Sequence, residues 1–172
     1  MVWAIACLHA PPVPFPSRFG RPAYDEAAVK AAQKAQQTSV SQTAGISRLQ
    51  NFPLQLKLVA PNAPWLQDAD LLIAADCTAF ACADFHDTYM RDRITLIGCP
   101  KLDGSYAAKL TEIFKANQIR SITVVRMQVP CCGGLPFAVK TALEDSGKRI
   151  PCRVVTISPN GIVVAEQSTV DN

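Results

Sequence analysis

Short aliphatic runs recur along the second two-thirds of this chain, and each gives way to a stretch with helical spacing. Residues 71–75, 94–97 and 122–125 are nearly continuous apolar runs, the pattern of strands buried on both faces of a sheet. Residues 53–59 alternate as an outer strand, and 61–69 read as a short turn or helix. Helical spacing follows over 80–91, 105–117 and 135–146, the last closed by Gly147 as a C-terminal cap. Residues 153–157 and 161–165 flank Pro159–Asn160–Gly161, a hairpin turn. Strand–helix units at this spacing predict an α/β fold. The expected architecture is a doubly wound, mostly parallel sheet of about five or six strands with right-handed crossovers and a C-terminal hairpin.

The amino-terminal third lacks this pattern. Residues 1–21 are rich in proline, 24–37 have the composition of a helix with a mostly alanine face, and 38–47 form a Ser/Thr/Gln/Gly linker. The chain therefore divides into 1–51, an irregular segment with one helix and a linker, and 52–172, an α/β domain.

Composition narrows the function classes. A chain of 172 residues with 49% hydrophobic content holds about one domain with a substantial core. Lys and Arg number 17 against 14 Asp and Glu, scattered without a basic stripe, which gives nucleic-acid binding no support. The longest apolar run is interrupted by Asp76 and Asp84, so no membrane span is expected. Residues 1–10 lack the positive start of a signal peptide. Seven cysteines, an odd number with several at strand ends, do not form a secreted disulfide framework. A cytoplasmic location is the expectation.

The chemistry concentrates where the strands end. Asp76–Cys77 follows the first buried run, Cys99–Pro100 the second, and Cys131–Cys132–Gly133–Gly134 the third. Ligands of open α/β sheets bind beyond the carboxyl ends of the strands, so these thiols are expected to meet. Glycines at a strand-to-helix junction let a bound group approach, and free amides there favour a thiolate. Cys82 and His86, four apart on the predicted helix, share a face. The expected metal ligands are Cys77, His86, Cys99, Cys131 and Cys132, a set that suits zinc or a 4Fe-4S cluster. In an extended backbone Cys131 and Cys132 point oppositely, so one of the pair faces the centre. Cys7, Cys82 and Cys152 read as small buried fillers. Asp84, Asp87 and Asp92 read as solvated carboxylates, leaving Asp76 as the candidate base, while Lys101 and Asp103, on the loop after Cys99, read as ordinary loop charge. No dinucleotide fingerprint, phosphate loop or nucleophile-elbow serine is present.

Taken together, Ala75–Asp76–Cys77, Asp84–Phe85–His86, Gly98–Cys99–Pro100–Lys101–Leu102–Asp103 and Val129–Pro130–Cys131–Cys132–Gly133–Gly134 resemble the carboxyl-terminal α/β domain of bacterial and archaeal 4Fe-4S ferredoxin-like proteins. The likeness spans roughly residues 24–165. It implies importance for Cys77, His86, Cys99, Cys131 and Cys132, and an association with electron transfer. The family's own cluster module needs runs of the type C-x2-C-x2-C-x3-C-P, and residues 1–23 contain only Cys7. A looser likeness to β-class carbonic anhydrases lacks their Asp–Arg pair and has Val129 where their zinc-binding histidine stands. The leading expectation is a metal-binding protein for electron transfer or metal handling, with a redox protein as partner. Its rival is an enzyme, either zinc-dependent or a thiol oxidoreductase using Cys131 and Cys132.

Overall fold

The computed structural model describes residues 45–169. The expectations for the amino-terminal helix, the proline-rich segment and Cys7 lie outside the described residues. Five strands form one sheet: β1 (Ala69–Ala75), β2 (Ile94–Gly98), β3 (Ile119–Met127), β4 (Cys152–Ile157) and β5 (Val163–Thr169). Their spatial order is β2-β1-β3-β4-β5, parallel except for β5, which pairs antiparallel with β4. Four helical segments connect them: α1 (Thr78–Ala81), α2 (Pro100–Asp103), α3 (Ala107–Ala116) and α4 (Gly134–Ser146).

The apolar runs form the middle of the sheet because strands covered on both sides have no polar face to present. Leu71, Leu72 and Ile73 on β1 and Val124 and Val125 on β3 are wholly buried. α3 turns Leu110, Ile113 and Phe114 into this core, and α4 adds Leu135, Ala138, Val139 and Ala142. The two long helices pack against each other. α4 ends at Gly147, whose φ of 67° is the left-handed cap conformation. Gly161 has a φ of 80° in the β4–β5 turn, where the Ser158 amide donates to the Ile162 carbonyl at 2.8 Å. A Cβ on Gly161 would strike the Ala81 carbonyl, so this turn is seated directly on the end of α1.

Two elements depart from the sequence pattern. The helix expected over 80–91 is broken: α1 stops at Cys82, whose backbone is extended, and a single π-helical turn follows at His86–Met90. The break is set by side chains and packing. Cys82 Sγ donates to Asp84 Oδ1 at 3.1 Å, Thr88 Oγ1 donates to Asp84 Oδ2 at 2.7 Å, and the Gly161 turn occupies the path of a continued helix. The outer strand expected over 53–59 shrinks to a single bridge between Gln55 and Ile97, because the chain turns at once, the Leu58 amide donating to the Gln55 carbonyl at 2.8 Å.

Truncating the centre of this sheet should be costly. Leu72→Ala removes a wholly buried side chain beside β2 and β3 and should lower the unfolding free energy by about 2–5 kcal/mol. Denaturant titration of the variant against the parent checks this.

Candidate functional site

β1 lies between β2 and β3, so the chain steps to one side of β1 and then crosses to the other. The carboxyl ends at such a reversal are the usual ligand position in open α/β sheets. Ala75 is in register with Gly98, which puts Asp76 level with Cys99, and the Asp76 amide closes the ladder on the Gly98 carbonyl at 3.3 Å. Ala74 is in register with Val125, so Cys77 emerges where β3 runs out into Val129 and Pro130. Pro130–Gly133 form one 3-10 turn leading straight into α4. A Cβ on Gly134 would sit 3.0 Å from Pro100 Cβ. Gly134 is thus the contact that lets the β2 and β3 loops close together.

The thiols divide by exposure. Cys77 and Cys131 are exposed, Cys99 is half-buried, and Cys82, Cys132 and Cys152 are buried. The Cys132 thiol is held above the usual thiol range, chiefly because burial disfavours its thiolate. A hydrogen bond to the Cys131 side chain and the nearby Cys77 act in the same direction, while a backbone hydrogen bond from Met127 opposes them. The expected extended backbone at 131–132 is instead a 3-10 turn, which still leaves one thiol outside and one inside. Cys82 and Cys152 behave as fillers, and desolvation pushes each thiol up to about 11.

Beside the thiols lies an acidic group that spacing alone does not reveal. The Tyr106 hydroxyl donates to Asp103 Oδ2, and Lys57 Nζ donates to the Asp103 carbonyl at 2.6 Å. A Cβ on Gly98 would overlap the Tyr106 ring, so this glycine makes room for the phenol under the end of β2. Asp76 Oδ1 is buried and has no hydrogen-bond partner among the described residues. Desolvation, and then the neighbouring Asp103, raise the Asp76 carboxyl above its ordinary value. Asp103 looked like loop charge in the sequence, and Tyr106 looked like a helix-face residue. Only the loop closure at Gly98 brings the phenol and the two carboxyls together.

His86 does not join this group through a shared helix face with Cys82, because the helix is broken between them. It is exposed, and its Nδ1 accepts the Arg48 amide at 3.2 Å. The adjacent Asp87 pairs with Arg48 and Arg91 at 2.7 and 2.8 Å, and Asp84 is occupied by Thr88 and Cys82. Asp84 and Asp87 are surface carboxylates, as the sequence suggests. Asp87 also borders a cleft with Asp70 and Ser121, residues near the amino ends of β1 and β3. Among the described residues, no three His, Cys, Asp or Glu side chains stand together as a metal-ion site. The five-ligand constellation drawn from the sequence is therefore not assembled in this geometry.

The comparisons with known proteins address the fold. The family model of the Rossmann-like domain matches residues 63–171. An uncharacterized protein of Archaeoglobus fulgidus is 29% identical over 127 residues, which cover 73% of this chain and 90% of that protein. No solved structure matches the chain. No helix among the described residues is long and apolar enough to cross a membrane.

The half-buried Asp76 carboxyl gives a pH signature with a definite sign. A carboxyl whose folded value is raised favours folding while protonated and opposes it once ionised. The Asp76 contribution is therefore full below the unfolded value near 3.8 and is lost as pH rises through the raised folded value. Asp76→Asn should raise the melting temperature at pH 7 and leave the gap to the parent much smaller at pH 3. Melting curves of both proteins at the two pH values check this.

Proposed function

The chain belongs to the Rossmann-like domain family, and within that fold we propose that the thiols at the carboxyl edge of the sheet carry out thiol–disulfide exchange. The observation that carries this reading is the Cys131–Cys132 pair, one thiol exposed and its neighbour buried, at the strand-order reversal where β1 also delivers the exposed Cys77. Cys131 is the thiol a disulfide substrate can reach. Its thiolate attacks one sulfur of that disulfide, forming a mixed disulfide and releasing the first thiol. Cys132 or Cys77 then attacks the Cys131 sulfur and releases the second thiol. The protein loses two thiol hydrogens and two electrons, and the substrate disulfide becomes two thiols.

Geometry favours Cys77 as the closing partner. Neighbouring Cα atoms lie about 3.8 Å apart across a trans peptide, short of the roughly 4.4–6.8 Å of ordinary disulfides. A Cys131–Cys132 bridge is thus strained and easily reduced, whereas a bridge to Cys77 joins separate loops. Asp76, next to Cys77 and with its carboxyl raised above the ordinary value by desolvation and then by Asp103, supplies a group that can hold a proton beside these thiols.

A second reading keeps the metal. Four thiols on three adjacent strand ends, Cys77, Cys99, Cys131 and Cys132, are soft ligands for zinc or an iron–sulfur cluster. The motif likeness to 4Fe-4S ferredoxin-like proteins points the same way, toward electron transfer with a redox protein partner in the cytoplasm. This reading needs the Cys99 loop and the Cys131 turn to draw closer around an ion, since no three ligands meet in the present geometry.

One preparation separates the two. Anaerobically purified full chain is assayed for zinc and iron, then treated with oxidised glutathione and mapped by peptide mass spectrometry. The exchange reading predicts little metal, a linkage among Cys77, Cys131 and Cys132, and Cys82 and Cys152 left unmodified. In Cys132→Ser combined with Cys77→Ser, the mixed disulfide at Cys131 should persist at least about tenfold longer, because no resolving thiol remains. Stoichiometric zinc or iron that shields these thiols would establish the metal reading instead, and glutathione spread over all thiols without an internal linkage would sink the exchange reading.

A further inference from the structure

The strand that closes the sheet leaves a surface that no described helix covers. In a doubly wound sheet, helices cover both faces, but here the chain returns antiparallel as β5 immediately after β4. Cys152, Val154 and Thr156 alternate onto one face of β4, with Gln167 and Ala165 of β5 opposite Val154 and Thr156. α4 buries its inner residues against the core, and its outer flank overhangs this strip without closing it. The result is a groove of about 700 Å³ open to solvent, continued by a second hollow of about 360 Å³ that shares Pro136, Val154 and Gln167 with it. Such volumes fall within the range of ligand sites, roughly 300–1,000 Å³.

The lining has two characters. Its floor and wall are apolar, with Leu143, Ile150 and Val154 inside and the Phe137 ring 69% exposed at its lip. Its rim is basic: Lys140, Lys148 and Arg149 border the groove, and Arg126 borders the adjoining hollow. Among the described residues of the rim the one acid, Glu144, stands 4.0 Å from Lys140 and offsets one of these charges. An elongated apolar trough under an excess of positive charge is complementary to a molecule with an apolar tail and an anionic head.

We propose that this groove binds a single-tailed anionic amphiphile, its alkyl chain along Leu143 and Val154 and its carboxylate toward Lys148 and Arg149. The site is separate from the thiol crevice and does not depend on the chemistry assigned there. Burial of each methylene contributes about 0.8 kcal/mol, so affinity should climb with tail length until the trough is filled. The charged rim sets the direction of the ligand and discriminates against neutral tails.

The test is calorimetric titration of the full chain with laurate as free monomer, alongside acetate, dodecanol and vesicles of phosphatidylglycerol. Saturable one-to-one binding of laurate, with acetate unbound and dodecanol at least tenfold weaker, is the expected result. Lys148→Gln combined with Arg149→Gln changes only the rim and should weaken laurate about tenfold while leaving dodecanol unchanged. Val154→Asp should abolish binding, with circular dichroism checking that the fold persists. Absence of laurate binding, equal binding of dodecanol, or binding to vesicles alone would overturn the proposal. So would laurate binding that appears only on dilution of a self-associated chain, which would assign the groove to a second copy.

Discussion

Everything distinctive about this molecule depends on β1 being paired on both edges. Its backbone is hydrogen-bonded to β2 on one side and β3 on the other, and its side chains are buried on both faces. A strand so enclosed has only its ends free to do chemistry. Because its two neighbours are parallel to it, all three carboxyl ends open on the same side. The residues that follow them are thereby committed to one edge of the sheet, whatever their separation along the chain.

Burial then differentiates side chains that are chemically alike. Cys77 and Cys131 lie at the rim, Cys132 lies just beneath it, and Cys82 and Cys152 are enclosed elsewhere. Desolvation keeps the enclosed thiols protonated, whereas Cys77 and Cys131 stand open to solvent. Asp76 experiences the same penalty in carboxylate form, with an oxygen left unpartnered beside a second carboxyl. Leaving such a group unpaired costs stability, and groups of that kind concentrate at functional sites. The close contact of Gly134 with Pro100, and of Gly98 with Tyr106, makes this crowding sterically feasible.

The buried strands were legible because their apolar runs admit few other structures. β1, β2 and β3 extend the 71–75, 94–97 and 122–125 runs by only a few residues, and α3 and α4 follow their helical spacing. The edges were less legible. Residues 80–91 have helical composition, but Cys82, Asp84 and the docked Gly161 turn divide them, and those interactions come from far apart in sequence or from side-chain hydrogen bonds. That break also undoes the expected Cys82–His86 pairing. Cys77 follows β1, and Cys131 and Cys132 follow β3, at the strand ends where the apolar runs put them. The partnership of Tyr106 with Asp103 could not be read in advance, since it depends on how the loop after β2 folds back. The groove beside β5 was equally hidden, because it arises from the strand's reversal rather than from any motif.

The central claim is that the reversal of strand order brings thiols distant in sequence within bonding reach. A bifunctional thiol reagent that fluoresces only when one molecule bridges two sulfurs tests it directly on variants reduced to two cysteines. The account predicts rapid, one-to-one bridging for the chain that retains Cys77 and Cys131, in its folded state, and loss of that signal in denaturant. Bridging of Cys77 with Cys131 no faster in the folded protein than in the unfolded chain would contradict it.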